Sequence, residues 1–130
     1  MEVELDSGTG YLLPDDLDPP PASEPWVALL PALDPSTMGW KHRDWYLDPS
    51  DARVLFDRNG NAGPTIWVDG HVVGGWAQRK DGTIALRLLR DVGAERRSDV
   101  ERAAEELRRL IGEVRFSVRF PTPLYAELLR

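Results

Sequence analysis

Thr65-Ile66-Trp67-Val68-Asp69-Gly70-His71-Val72-Val73-Gly74-Gly75-Trp76-Ala77 is the stretch whose reading decides the fold. Two runs of β-branched and aromatic residues flank an Asp-Gly pair, the pair that fills a tight type I′ turn because both central positions need positive φ. A second pair, Asp81-Gly82, leads into Thr83-Ile84-Ala85-Leu86-Arg87-Leu88-Leu89. The spacing therefore predicts two tight hairpins and a three-stranded antiparallel meander over residues 64–89. Gly74-Gly75 inside the middle strand predicts a bulge or sharp coil, the device that lets a small sheet curl toward a barrel.

Working outward, Val27-Ala28-Leu29-Leu30, closed by Pro31, reads as a short buried strand. Asp34-Pro35-Ser36-Thr37 and Asp48-Pro49-Ser50-Asp51 each open a helix of one or two turns, with Pro in the first turn where its missing N–H costs nothing. Ser98-Asp99-Val100-Glu101 has the form of a capping box and predicts a helix over 99–111. Its apolar stripe is Val100, Ala103, Ala104, Leu107, Leu110 and Ile111, and Gly112 ends it. Val114, Phe116, Val118 and Phe120 alternate with Arg115, Ser117 and Arg119, which predicts a half-buried strand with a basic outer face, followed by a terminal helix from Leu124. The expected fold class is α+β. A small curled antiparallel sheet or partial barrel joins the 27–30, 64–89 and 114–120 strands, and one long amphipathic helix lies across it.

Residues 1–25 differ from the rest. Val3-Glu4-Leu5 and Tyr11-Leu12-Leu13 flank the Gly-rich turn Ser7-Gly8-Thr9-Gly10, a hairpin pattern, and an acidic, proline-rich stretch from Pro14 to Pro25 reads as a linker. The expected organisation is hairpin and linker over 1–25 and one compact domain over 26–130.

The net charge of −6 argues at first against a nucleic-acid surface. Its distribution does not, because Glu2, Glu4, Asp6, Asp15, Asp16, Asp18 and Glu24 crowd into residues 1–25 without a single base, leaving the body near neutral. All basic side chains except Lys41 and Lys80 are arginines, which suit bidentate phosphate contacts, although such a bias also arises from high-GC coding. The absence of cysteine excludes disulfides, thiolate metal sites and cysteine nucleophiles. No stretch reaches the length of a membrane span, and a cytoplasmic location is expected.

Arg58-Asn59-Gly60-Asn61-Ala62-Gly63 lacks the spacing of a nucleotide-binding P-loop. It reads either as a tight loop entering the strand at Pro64 or as a groove in which Arg58 grips phosphate, Asn59 and Asn61 bond a base or sugar, and Gly60 and Gly63 allow close backbone approach. Trp40-Lys41-His42-Arg43-Asp44-Trp45-Tyr46 interleaves aromatic and basic side chains, a combination that stacks bases while holding backbone charge, though core packing is the commoner use of such aromatics. His42 and His71 are the only histidines, so no metal is expected, and no cofactor or catalytic triad is indicated.

Leu29-Leu30-Pro31-Ala32-Leu33-Asp34-Pro35-Ser36-Thr37-Met38-Gly39-Trp40, Leu55 to Thr65, Val68 to Trp76 and Arg119-Phe120-Pro121-Thr122-Pro123-Leu124 together resemble the C-terminal region of the bacterial winged-helix DNA-binding family that includes the AlkZ and YcaQ glycosylases. The resemblance implies a small β-barrel following winged-helix units, with the 1–25 hairpin as a wing. It also implies a protein that removes alkylated or crosslinked bases. The family's catalytic Gln-x-Gln motif has no counterpart, since Gln78 is the only glutamine. The resulting expectation is a non-catalytic, DNA-binding accessory domain acting on duplex DNA through Lys41, His42, Arg43, Arg58, Asn59 and Asn61. The alternative is a protein-interaction module that pairs with a winged-helix partner chain, which the acidic linker favours.

Overall fold

The computed structural model describes residues 1–130. In chain order the elements are β1 (Glu2–Leu5), β2 (Gly8–Tyr11), β3 (Val27–Leu30), α1 (Pro35–Met38), α2 (Ala52–Leu55), β4 (Thr65–Val68), β5 (His71–Gln78), β6 (Ile84–Leu88), α3 (Gly93–Ile111) and α4 (Pro123–Leu128). The α+β class is observed. A four-stranded antiparallel sheet of order β3-β4-β5-β6 forms the body, and β1 pairs only with β2.

The sheet is open, so the small β-barrel that the resemblance implied is not closed: β3 and β6 are its two edges and do not pair with each other. Both of its faces are covered instead. On one, Ile66, Val68, Val73 and Trp76 pack with Val100 of α3. On the other, Trp67, Val72, Ala77 and Ala85 pack with Leu47, Leu55, Phe56 and Ala62 and with Leu124, Tyr125 and Leu128 of α4. The cover on both faces explains why all four residues of β4 are buried instead of alternating between buried and exposed.

The expected bulge is present next to the paired glycines. Ile66 pairs with Gly74 and Trp67 with Val72, so Val73 is the extra residue of β5, and the break in alternation puts Val73 and Trp76, three residues apart, in the same core. Gly74 is required by close approach: a Cβ there would lie 2.0 Å from the Arg87 carbonyl oxygen of β6. The Asp69-Gly70 turn has φ of 48° and 84°, as a type I′ turn demands. Asp81-Gly82 differs. Only Gly82 has positive φ, and Arg79 N–H bonds to Thr83 O while Gly82 N–H bonds to Arg79 O, so the connection is longer than a two-residue turn.

Three further expectations are corrected. α3 begins at Gly93, so the Ser98 capping box lies inside the helix. Asp91 Oδ1 accepts from Gly93 N–H, Glu95 favours the positive N-terminal end, and Arg96 pairs with Asp99, which together draw the helix more than a turn upstream. Leu110 is 84% exposed. At 100° per residue it falls at the flank of the stripe centred on Val100, Ala104, Leu107 and Ile111.

Residues 114–120 form no strand. Their alternation is real, but the backbone is held by a side chain: Gln78 Nε2 donates to Val114 O at 2.9 Å and Gln78 Oε1 accepts from Phe116 N–H at 3.2 Å. Phe116 meets Trp76 edge-on at 6.2 Å, and Val118 N–H reaches the Tyr125 hydroxyl. Arg115 and Arg119 are exposed as expected, but not on a strand: the Arg115 guanidinium donates to the carbonyls of Lys80, Gly112 and Val114, and Arg119 lies over the Phe120 ring.

No hydrogen bond joins residues 1–25 to the remainder. β1 and β2 pair in register from Glu2↔Tyr11 to Leu5↔Gly8, and the Met1 ammonium donates to Leu12 O, closing the hairpin on itself. No helix is long and apolar enough to cross a membrane.

Candidate nucleic-acid interface

The loop after α2 is organised by one carboxylate. Asp57 Oδ1 accepts from the backbone N–H groups of Asn59 and Asn61, each at 2.8 Å, and Oδ2 accepts from the Asn61 side-chain amide at 2.8 Å. This turn chemistry follows from a short acid placed two residues before the bend, where it mimics a backbone turn. The Asn61 amide, followed by its backbone N–H, holds the Asp57 carboxyl below the usual carboxylate range. Gly60 takes φ +85° at the tip, a value costly for any residue with a Cβ. Gly63 has a different role: it is buried, and a Cβ would meet Thr122 at 2.9 Å.

The expected site residues therefore separate. Arg58 and Asn59 are exposed, and Arg58 makes no ion pair or side-chain hydrogen bond. Asn61 is committed to Asp57, and Gly63 to packing. Lys41 and His42 are exposed. Arg43 is structural, its Nε donating to Thr37 O at 3.1 Å and its guanidinium lying 4.7 Å from the Phe56 ring centroid. Tyr46 stacks on Trp67 at 5.1 Å, and burial raises its hydroxyl above the ordinary phenol value despite nearby Arg43.

The fold brings the two expected segments side by side. Arg43 touches Phe56 at the end of α2, and Ala62 N–H points at the Met38 sulfur at 3.1 Å. Beside them lies a shallow open groove of about 750 Å³, with Arg53, Arg58 and Asn59 on one wall and Thr122 and Pro123 on the other. Arg53 was not legible as a site residue, because on a one-turn helix it looks like any solvated arginine. Here it is exposed and without a carboxylate partner. By contrast, Arg87 pairs with Glu127, Arg90 with Asp48 and Asp51, and Arg108 and Arg109 with Glu105. A second hollow, at the start of α3, is lined by Arg90, Asp91 and Arg97, and its Arg90 is already engaged by acids. No cluster of three or more His, Cys, Asp or Glu is placed to hold a metal.

Arg53 and Arg58, neither with a carboxylate partner, line this groove together with one carboxylate, Asp57, which accepts from Asn59 and Asn61 of its own loop. A family model described as DNA glycosylase AlkZ-like matches residues 1–110. The chain belongs to the AlkZ-like DNA glycosylase family. No curated protein and no solved structure gives a match. The family match spans the hairpin, the sheet and nearly all of α3, and it includes the Arg53–Arg58 wall, whereas Thr122 and Pro123 opposite lie outside it. Membership in the AlkZ-like family ties the chain to DNA.

Proposed function

We propose that the chain is a DNA-binding accessory domain that holds duplex backbone in the groove beside α2 and performs no base excision itself. The observation that carries this reading is the pair Arg53 and Arg58, both free of protein partners and lining one groove. Each guanidinium offers a planar fork that matches a phosphate. Asn59 at the rim can add a bond to sugar or base, and Gly60 lets the backbone come close. Lys41, on the neighbouring segment, extends the positive surface, and the exposed His42 beside it offers its ring nitrogens for hydrogen bonding.

The non-catalytic part of the reading is supported by Gln78. The only glutamine in the sequence is 4% exposed and spends both ends of its amide on Val114 and Phe116, so it is unable to supply a catalytic glutamine to a substrate. Residues 26–130 act as the binding unit, and 1–25 as an acidic appendage that opposes DNA.

The test is fluorescence anisotropy with a labelled duplex at low salt, comparing the native chain with the double variant Arg53→Ala/Arg58→Ala. Loss of two charge-assisted phosphate contacts, each of about 1.5 kcal/mol or more, is expected to weaken binding by about a hundredfold or more. Equal affinity of the two proteins would remove the groove from the interface.

One observation favours a second reading, in which residues 1–25 dock on a separately encoded winged-helix chain. Leu5, Tyr11, Leu13 and Leu17 are exposed on a hairpin and linker with no core of their own. Tight association with such a chain, abolished by removing residues 1–25 and accompanied by no DNA binding of the truncated form, would favour it over the first.

A further inference from the structure

Trp40 and Trp45 are the most exposed of the five tryptophans, with Trp26, just before β3, next at 41%. Trp67 and Trp76 are buried, and their indole N–H groups donate to Thr65 Oγ1 and Leu30 O. Trp40 is 59% exposed and Trp45 is 65% exposed, and neither indole N–H has a protein acceptor. Burying a tryptophan is strongly favourable, so leaving two in water within one short segment asks for a ligand.

The segment that carries them is held firmly. The Thr37 carbonyl accepts from Arg43 Nε at 3.1 Å and from the Tyr46 hydroxyl at 3.2 Å. Val72 N–H donates to Tyr46 O at 2.7 Å, and Leu47 N–H donates to Arg43 O at 2.9 Å. The Tyr46 ring is pinned on Trp67 and the Arg43 guanidinium on Phe56. Trp45 thus sits between two anchored neighbours, and its ring is presented from a fixed backbone, which reduces the ordering cost of binding. The exposed residues between the tryptophans are Lys41, His42 and Asp44. A protein-docking patch would surround such rings with apolar neighbours. Isolated rings interleaved with two potentially cationic side chains and one acid match instead a flat, apolar ligand attached to an anionic backbone.

We propose that Trp40 and Trp45 form a stacking platform for unpaired nucleobases, with Lys41 and His42 beside them holding the adjoining phosphates. Bases inside a duplex are already stacked and offer no free face, so the platform distinguishes unpaired from paired DNA. This rests on the reading of the chain as a DNA-binding domain and shares Lys41 and His42 with it, but the two rings that define the platform lie outside the Arg53–Arg58 groove.

The experiment compares three labelled probes: a short oligothymidine, an intact duplex, and the same duplex with a few unpaired bases. Proteins are the native chain, Trp40→Ala/Trp45→Ala, Trp40→Phe/Trp45→Phe, and Arg53→Ala/Arg58→Ala. The alanine pair is expected to lose about tenfold or more in affinity for the single strand and the bulged duplex, and less than about twofold for the intact duplex. The phenylalanine pair should recover part of the loss. Because both rings are exposed, the thermal midpoint should not move. Unchanged single-strand affinity, or an equal fall on all three probes, overturns the platform and leaves the rings to a protein partner. If the arginine pair leaves duplex binding intact while the alanine pair still loses the single strand, the groove reading fails and the platform stands.

Discussion

Replacing Gly74 by alanine tests the sheet at its tightest point. The added Cβ would lie 2.0 Å from Arg87 O, 3.0 Å from Arg87 C and 3.1 Å from Leu88 Cα, all backbone atoms of β6. No rotamer change relieves such a contact, so β5 and β6 must part locally by about 1 Å. The bond from Leu89 N–H to Val73 O, 2.8 Å long, lies next to the clash and is the first to go. Strain of about 1–3 kcal/mol together with one or two ladder bonds at about 1 kcal/mol each gives a destabilisation of about 2–5 kcal/mol. That is a large fraction of a typical domain stability of about 5–15 kcal/mol. Gly60→Ala is the control, since a Cβ there meets nothing within 4 Å and only the φ of +85° opposes it. The left-handed conformation alone costs about 1–2 kcal/mol. Urea unfolding of both variants reads the difference at constant slope. A Gly74→Ala loss no larger than that of Gly60→Ala would refute the close approach of β5 and β6.

Gln78→Leu removes the side-chain bridge to residues 114–116 and is expected to cost about 1–2 kcal/mol, with faster amide hydrogen exchange at Phe116. The loss is moderate because Arg115 Nη1 also donates to Val114 O. Unaltered exchange at Phe116 would show that the segment is held by other means. Glu105, bonded by Arg108 and then Arg109, is lowered from 4.5 to about 2. A depressed carboxyl stabilises the fold fully above pH 4.5 and loses that contribution as pH falls through 4.5 toward about 2. The native chain should therefore approach the acid stability of Glu105→Gln only at the bottom of that range, and a constant gap between the two across it would contradict the assignment. Incubated with methylated DNA, the purified chain is expected to release no base. Release that followed the chain through purification, and disappeared on mutating one of its residues, would overturn the non-catalytic reading.

What the sequence made legible was local and what it hid was tertiary. Asp69-Gly70 announced its turn because both residues there adopt positive φ, whereas Asp81-Gly82 carried the same letters into a longer connection shaped by the Asp81 carboxylate bonding Thr83. The alternation of Val114 to Phe120 has the period of a strand, but the partner that claimed its backbone is a glutamine side chain more than thirty residues away. The capping box at Ser98 was overridden by good helix formers and an ion pair just upstream. In the site, Arg58 and Asn59 were visible from their loop, but Asn61 was claimed by Asp57 and Gly63 by Thr122. Arg53 emerged only when α2 and α4 set it beside a groove.

The central claim is that DNA is held electrostatically through Arg53 and Arg58, and its most direct test is duplex affinity measured against salt concentration. With Arg53, Arg58 and Lys41 each neutralising one phosphate, the log–log slope should be about −3, at about −0.9 per contact. Arg53→Ala/Arg58→Ala should bring it to about −1, and deleting residues 1–25, which carry acids and no base, should strengthen binding throughout. A native slope that the double variant leaves unchanged, or a truncated chain that binds no duplex at low salt, would contradict the account.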